Sequence, residues 1–375
     1  MKIVIAPDSF KGSLTALEVA KAIKEGIKRV MPESEIAIVP MADGGEGTVQ
    51  ALADATGGKI ITEEVHDPLM KKIKADFGIL GDGVTAVIEM AAASGLPLVP
   101  LNQRNPMLTT TYGTGELIRF AMDRGCRRLI VGIGGSATVD GGAGMAQALG
   151  VKLLDSAGNN IPAGGGGLEF LDRIDVSGID TRISETTTIV ACDVDNPLTG
   201  PKGSAEVYGP QKGATQDMVQ KLDGYLGRYA DIIKRDLSVD VKDIPGSGAA
   251  GGLGAGLMAF LNAKLRSGIE IVIDTSGLEK QLKDADLAIT GEGKIDRQTI
   301  YGKTPIGVAK CAKKFDIPVI AICGSIGKDA SVVYDNGIDA LVSIVSYPMT
   351  LESAMRNAYK LIVDAAERAI RLFRL

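Results

Sequence analysis

The sequence contains no tryptophan and a single histidine in 375 residues. One histidine excludes a His-rich metal site within the chain. It leaves a Ser-His-Asp triad possible only through His66, which sits among charges in TEEVHDP. Acid–base chemistry otherwise falls to Asp, Glu, Lys, Cys or Tyr. The four cysteines (126, 192, 311 and 323) form no CxxC and no disulfide framework, as expected in a reducing cytosol. A basic excess is missing too: Asp+Glu 46 against Lys+Arg 41 gives a net charge of −5. No global positive field is available to hold nucleic acid or an anionic membrane. No apolar run approaches 18 residues, so no membrane span is expected. The opening MKIVIAPDSF meets Pro7 and Asp8 too early for a signal-peptide core, which points to a cytoplasmic protein.

What is present is a globular composition, 45% apolar and 23% charged, enough for two or three domains. Residues 2–6 read as a strand, Ser13 caps a helix to about Val30, 35–40 is a second strand and 48–56 a second helix. This βαβα start predicts a parallel sheet. Residues 60–65, 72–80 and 85–89 are short β runs divided by DP and GDG turns, with no room for crossover helices, hence antiparallel. Helix and strand periods alternate at 115–124, 128–133 and 141–149, before a polar, glycine-rich stretch from 154 to about 185. Strand 188–191 and helix 255–265 follow. The βα rhythm returns with strands 285–289, 319–323 and 340–344 and helices 304–315 and 351–371. The reading is an α/β protein: a Rossmann-like domain, 1–60 with 281–375, interrupted by a second, mixed α/β domain, 61–280.

Glycine is abundant, 48 residues, and it clusters between apolar runs. Six glycine-rich or polar clusters stand out, almost all just after a strand, where open α/β sheets place ligands. Asp8–Ser13 (DSFKGS) combines a carboxylate, a cation and two hydroxyls before a helix, a setting that attracts an anion. Asp43–Thr48 (DGGEGT) offers Asp43 and Glu46 to a metal or a hydroxyl. Gly132–Gly144 holds six glycines that make a backbone nest suited to phosphates. It lacks the Gly-Lys-Ser/Thr ending of a P-loop and is no GxGxxG of a first βαβ unit. Cys192–Pro197 (CDVDNP) spaces Asp193 and Asp195 to meet one cation or flank a hydroxyl. Pro245–Gly254 presents backbone donors at a helix start, and Thr290–Asp296 (TGEGKID), with Arg297 and GKTP after it, mixes acid, base and flexible backbone.

Each cluster has a plainer explanation as a turn, a cap or close packing. Taken together, anion-cradling loops, scattered Asp and Lys, and almost no histidine suit phosphoryl transfer, which needs positioning, cations and Mg²⁺ more than an imidazole. On chemistry, Asp193 is the candidate base or metal ligand, with Asp43 and Asp296 as second carboxylates and Asp43 the second metal ligand. Lys11 and Lys294 pair with phosphate, Lys11 at the reacting group and Lys294 on the nucleotide. Gly134, Gly135 and Ser136, with Gly246, Ser247 and Gly248, cradle nucleotide phosphates. Asp8, Ser9, and Arg104 or Arg297 hold the substrate, since a guanidinium suits a carboxylate. An NAD(P)-linked oxidoreductase and a non-catalytic sensor of nucleotides or organic acids are competing readings. The first lacks a glycine fingerprint after the first strand. The second gives no use for carboxylates poised in separate loops.

The ordered blocks APDSFKGSLTA, PMADGGEGT, TYGTGELI, GIGGSATVDGGAGMAQALG, ACDVDNPLTGPKGSA, YGPQKGA, GSGAAGGLG, TGEGKIDRQT and GKTP resemble the motifs of the bacterial type I glycerate kinases, the glycerate 2-kinases. The likeness runs from residue 4 to about 310. It implies two α/β domains with the active site in the cleft between, ATP and Mg²⁺ as cofactors, and D-glycerate phosphorylated to 2-phosphoglycerate. Partners would be small molecules only, with no nucleic acid and no membrane, in a monomer or homodimer. A kinase for another small hydroxy acid, such as tartronate or a sugar acid, would use the same loops.

Overall fold

The computed structural model describes residues 1–374. The chain opens with β1 (Lys2–Ile5), α1 (Ala16–Val30), β2 (Glu35–Ile38) and α2 (Thr48–Thr56). Then come β3 (Lys59–His66), β4 (Lys72–Ile79), β5 (Thr85–Glu89), α3 (Ala91–Ser94), α4 (Tyr112–Asp123), β6 (Arg128–Gly132) and α5 (Ala143–Ala148). They are followed by β7 (Lys152–Leu154), β8 (Arg173–Asp175), β9 (Thr187–Ala191), α6 (Ser204–Tyr208), α7 (Gln216–Leu237), α8 (Ala249–Leu261) and β10 (Lys264–Arg266). The chain closes with α9 (Gly268–Ser276), α10 (Leu278–Leu282), β11 (Leu287–Ile295), α11 (Thr304–Lys313), β12 (Val319–Ile326), β13 (Ala340–Ser343), α12 (Leu351–Arg356) and α13 (Ala358–Phe373). Two compact units result: Met1–Gly58 with the segment from Ser267 onward, and Lys59–Arg266. The second crossing lies at 266/267, where the sequence reading puts 280/281, because α9 and α10 pack against α2 and α11 of the first unit.

The first unit is built on a five-stranded sheet in the order β13-β12-β11-β1-β2, with every pairing parallel. Alternate strand residues Ile3, Ile5, Leu287, Ile289, Ile320 and Ile322 face α1 and α13. Their neighbours Val4, Ala288 and Ala321 are buried too, so both faces of the sheet are covered. Within the unit the strand order reverses at β1: one connection leads to β2 on one side, the next to β11 on the other. In open α/β sheets, ligands bind outside the carboxyl ends of the strands at such a switch point.

α1 shows how local sequence sets an element. Thr15 is its N-cap: the Thr15 hydroxyl accepts from the Glu18 N–H at 3.3 Å, and the Glu18 carboxylate accepts from the Thr15 N–H at 2.8 Å. This corrects the reading of Ser13 as the cap; the Ser13 hydroxyl instead donates to the Met355 carbonyl at 2.9 Å. Gly26 lets α1 cross α13 closely, since a Cβ there would lie 2.3 Å from the Val363 carbonyl oxygen. In an ordinary helix Gly→Ala gains up to about 1 kcal/mol. Here Gly26→Ala is expected to lose roughly 1–3 kcal/mol, the cost of overpacking, read as a lower midpoint in thermal or urea unfolding.

The second unit carries a six-stranded mixed sheet, β10-β9-β6-β5-β4-β3, and a small β7-β8 hairpin. β3, β4 and β5 pair antiparallel, and β5, β6, β9 and β10 parallel. Apolar side chains of the sheet, α4, α5, α7 and α8 form one core. The observed architecture is thus α/β, a parallel-sheet domain interrupted by a mixed one. Two other details differ from expectation. β11 continues through the TGEGKI segment to Ile295, pairing with β12 as far as Ile326. Gly291 permits it, since a Cβ there would meet the Ile322 oxygen at 2.0 Å. The last helix is broken at Asn357 into α12 and α13.

Candidate active site

The six clusters separate by unit. Those at 8–13, 43–48 and 290–296 belong to the first unit, and those at 132–144, 192–197 and 245–254 to the second.

In the first unit, the loops after β1 and β2 deliver Asp8 and Asp43, and the part of β11 that runs on past its pairing with β1 delivers Glu292. The loop after β1 is laced to β11: the Asp8 N–H donates to the Gly291 carbonyl at 2.8 Å, and the Thr290 hydroxyl to the Ala6 carbonyl at 2.8 Å. Asp8 is buried. One carboxylate oxygen accepts from the Ser9 N–H at 2.6 Å and the other from the Thr304 hydroxyl at 2.7 Å. Burial, and next the charge of Asp43, push the Asp8 carboxyl up to about 6. Glu292 is buried as well, which raises its carboxyl; the Thr299 hydroxyl (2.7 Å) and the Lys303 ammonium (3.1 Å) pull the other way. Asp8, Ser9, Lys11, Asp43, Lys294 and Lys303 line the charged part of a cavity of about 750 Å³.

Asp296 is engaged locally. It pairs with Lys294 at 2.8 Å, caps the turn Arg297–Ile300 through the Gln298 N–H, and is held below the usual carboxylate range, chiefly by Lys294. Arg297 is exposed on that turn.

In the second unit the loops after β6 and β9 and the start of α8 converge. The Gly141 N–H donates to the Gly251 carbonyl at 2.9 Å, and the Gly248 N–H to the Asn196 carbonyl at 3.0 Å. Ala250, Gly251 and Gly252 take three consecutive left-handed conformations, which kink α8. Gly251 allows the approach, since a Cβ would lie 1.8 Å from the Thr138 oxygen. Asp140 is fully buried beneath, accepting from the Thr111 N–H (2.8 Å) and hydroxyl (2.9 Å) and from the Gly142 and Gly144 N–H groups. It fixes the shape of the loop that exposes Gly134 and Gly135. Ser247 and Gly248 differ from these: both are buried, and their N–H groups donate to the Ile244 and Asn196 carbonyls. As donors they are already committed, unlike what the phosphate-cradle reading requires. Asp193 is exposed on the turn after β9. Arg104 belongs to this unit, its Nε 3.4 Å from the Val99 carbonyl, whereas Arg297 belongs to the first. Asp43 and Asp193, read together as metal ligands, also fall in different units.

Sequence reasoning passed over Lys212, the lysine of YGPQKGA. It is 2% exposed, and its ammonium donates to the Ser136 hydroxyl at 2.6 Å and the Thr138 carbonyl at 2.7 Å. Burial pulls it down to about 7, against the charge of Asp140. Glu292, Lys303 and Thr304 were also unassigned, although all three lie in motifs already singled out.

Residues 3–374 match the family described as the glycerate kinase family. The chain belongs to the glycerate kinase family. It is an enzyme, a kinase. It is 58% identical over 358 residues to a glycerate kinase of Bacillus subtilis (strain 168), covering 96% of this chain and 94% of that one. It is 55% identical over 366 residues to the glycerate 2-kinase of Escherichia coli (strain K12), covering 98% and 96%. A crystal structure described as glycerate kinase 2 from Salmonella typhimurium LT2 superposes with a TM-score of 0.93 at 54% identity, covering 100% of this chain and 98% of that one. No helix among the described residues is long and apolar enough to cross a membrane.

Proposed function

We propose that this protein transfers the terminal phosphoryl group of ATP to the 2-hydroxyl of D-glycerate, with Mg²⁺, in the cytoplasm. The observation that carries this reading is the near full-length likeness, at 55% identity, to a protein named glycerate 2-kinase. In the step, a bond forms between the glycerate oxygen and the phosphorus, the bond from phosphorus to the β,γ-bridging oxygen breaks, and ADP leaves. The hydroxyl proton passes to a carboxylate.

Asp8 is the base in this reading, in place of Asp193. A carboxyl near 6 is ionised at neutral pH and still basic enough to take a proton in the transition state. Lys11 and Lys303 offset phosphoryl charge from within the same cavity. Arg297 and Ser9 hold the acid. The exposed backbone of Gly134 and Gly135, braced by Lys212 through Ser136, takes an anionic group.

Mg²⁺ takes one or two carboxylates together with phosphates and water. Among the described residues no group of three or more His, Cys, Asp or Glu forms a ready cage. Asp43 nevertheless fits that donor set: it is a hard oxygen ligand whose charge helps raise the neighbouring Asp8. It would hold the ion, which would supply charge neutralisation on the phosphates. The four cysteines are all unbridged, in keeping with a cytoplasmic enzyme.

The test is ADP release with ATP, Mg²⁺ and D-glycerate, L-glycerate as control, and phosphorus NMR of the product. Turnover with a 2-phosphate signal is expected. A 3-phosphate would change the regiochemistry, and turnover only with another hydroxy acid would replace the acceptor. ATP binding without any turnover would favour the sensing role.

A further inference from the structure

We infer that the nucleoside of the phosphoryl donor docks in the first unit, with its base against Val345, Met349, Leu351 and Met355 and its phosphates toward Lys11 and Lys294. The inference rests on the proposed use of ATP and deepens it, since it names the subsite.

The cavity of about 750 Å³ has two unlike ends. One, over β1 and β11, carries the carboxylates and ammonium groups already described. The other, over β12 and β13, is walled by the segment that follows β13, which brings Val345, Met349, Leu351 and Met355 into the lining. Val345, Leu351 and Met355 are exposed apolar side chains. The two ends are three strand positions apart in the order β13-β12-β11-β1, about 14 Å at the usual strand spacing of ~4.8 Å. Glycerate has three carbons, each bearing oxygen, and no apolar face. It can use the charged end and has no use for the other. A nucleotide is the reactant with a flat apolar ring at one end and anionic phosphates at the other. It would lie across the strand ends with its terminal phosphate at the switch point, beside Asp8. The two ends are also tied together: the Ser13 hydroxyl of the Lys11 loop donates to the Met355 carbonyl. The wall lies beyond the motif blocks that carry the sequence resemblance, so no sequence signal marked it.

The experiment measures ADP binding by calorimetry for the wild type, Leu351→Asp and Val345→Asp, and maps the peptide labelled by 8-azido-ATP under light. Leu351 is 75% exposed at the first position of α12, where an aspartate is favourable, so Leu351→Asp is expected to fold. We expect Kd for ADP to rise at least tenfold in both variants with melting curves unchanged, and the label to fall within 344–358. Normal binding by both variants, or label confined to peptides around 134–138, would overturn the inference. ADP binding at this wall without glycerate turnover would sink the proposed acceptor and leave the inference standing. A wild type that binds no adenine nucleotide would remove both.

Discussion

Asp8→Asn is expected to cut kcat by 10²–10⁴, the usual contribution of a positioned base, and at the same time to stabilise the fold. The two effects have one cause. The Asp8 carboxyl is raised from 3.8 to about 6 by burial and by the Asp43 charge, so keeping it ionised in the native state costs energy. About two pK units correspond to roughly 2–3 kcal/mol at neutral pH. Between pH 3.8 and about 6 the native chain holds a proton that the unfolded chain has lost, so wild-type stability falls as pH rises through that window. Asparagine keeps the shape and an acceptor for the Ser9 N–H while removing the charge. The stability gain of Asp8→Asn should therefore be full above about pH 6 and vanish below about 4. Urea unfolding at pH 4, 5 and 7 measures this, and the wild-type rate should fall as pH drops below about 6, an acid limb that Asp8→Asn lacks. A variant that is inactive and equally or less stable at pH 7 would mean that the Asp8 carboxylate is held by favourable contacts, contrary to the strained group described here.

The parts of this architecture legible in sequence are those set by local periodicity. Residues 2–6 and 319–323 are apolar β runs buried on both faces, 35–40 is a half-buried run at the sheet edge, and the antiparallel character of 60–89 followed from connections too short for crossovers. α7 was not assigned, although Val219, Leu222, Leu226, Tyr229 and Ile233 mark one buried helical face. Its two glycines, 224 and 227, and its charged residues obscured the pattern. β11 looked like a loop after Ile289 because TGEGKI is rich in glycine. Gly291 serves close packing of β11 on β12, a tertiary fact invisible in the window. The chemistry was legible as motifs and not as groupings. Nothing in the spacing of Asp8, Asp43 and Glu292 announces that the sheet brings them to one cavity, because strand order is a property of the sheet. Asp193 and Asp43 likewise read as partners from residue type alone; Asp43 follows β2 in the first unit and Asp193 follows β9 in the second.

Lys212→Met should be the other large loss, and it separates a positioning role from a contact role. The ammonium is too buried to be an open phosphate ligand. It holds Ser136 and Thr138, and so the backbone of the loop that exposes Gly134 and Gly135. Methionine matches the length and leaves both acceptors unpaired, at about 1–3 kcal/mol each. The loop is expected to shift, with kcat/KM falling roughly 10²–10³-fold, the scale for losing one preorganised donor. Burial also sets a pH signature in stability, and ligand-linked proton uptake then separates a role at the loop from a merely structural one. The native ammonium titrates near 7 and the unfolded one near 10.5. Between those values the unfolded chain binds a proton that the native chain does not, so wild-type stability climbs with pH across that window. Lys212→Met should lack this slope. An anion bound at Gly134 and Gly135 would favour the charged lysine and draw in a proton. Calorimetric titration with the bound reactant at pH 8, in buffers of different ionisation enthalpy, should show proton uptake in the wild type and none in Lys212→Met. Equal uptake in both would place the titrating group elsewhere, and unchanged kcat/KM would detach Lys212 from the reaction.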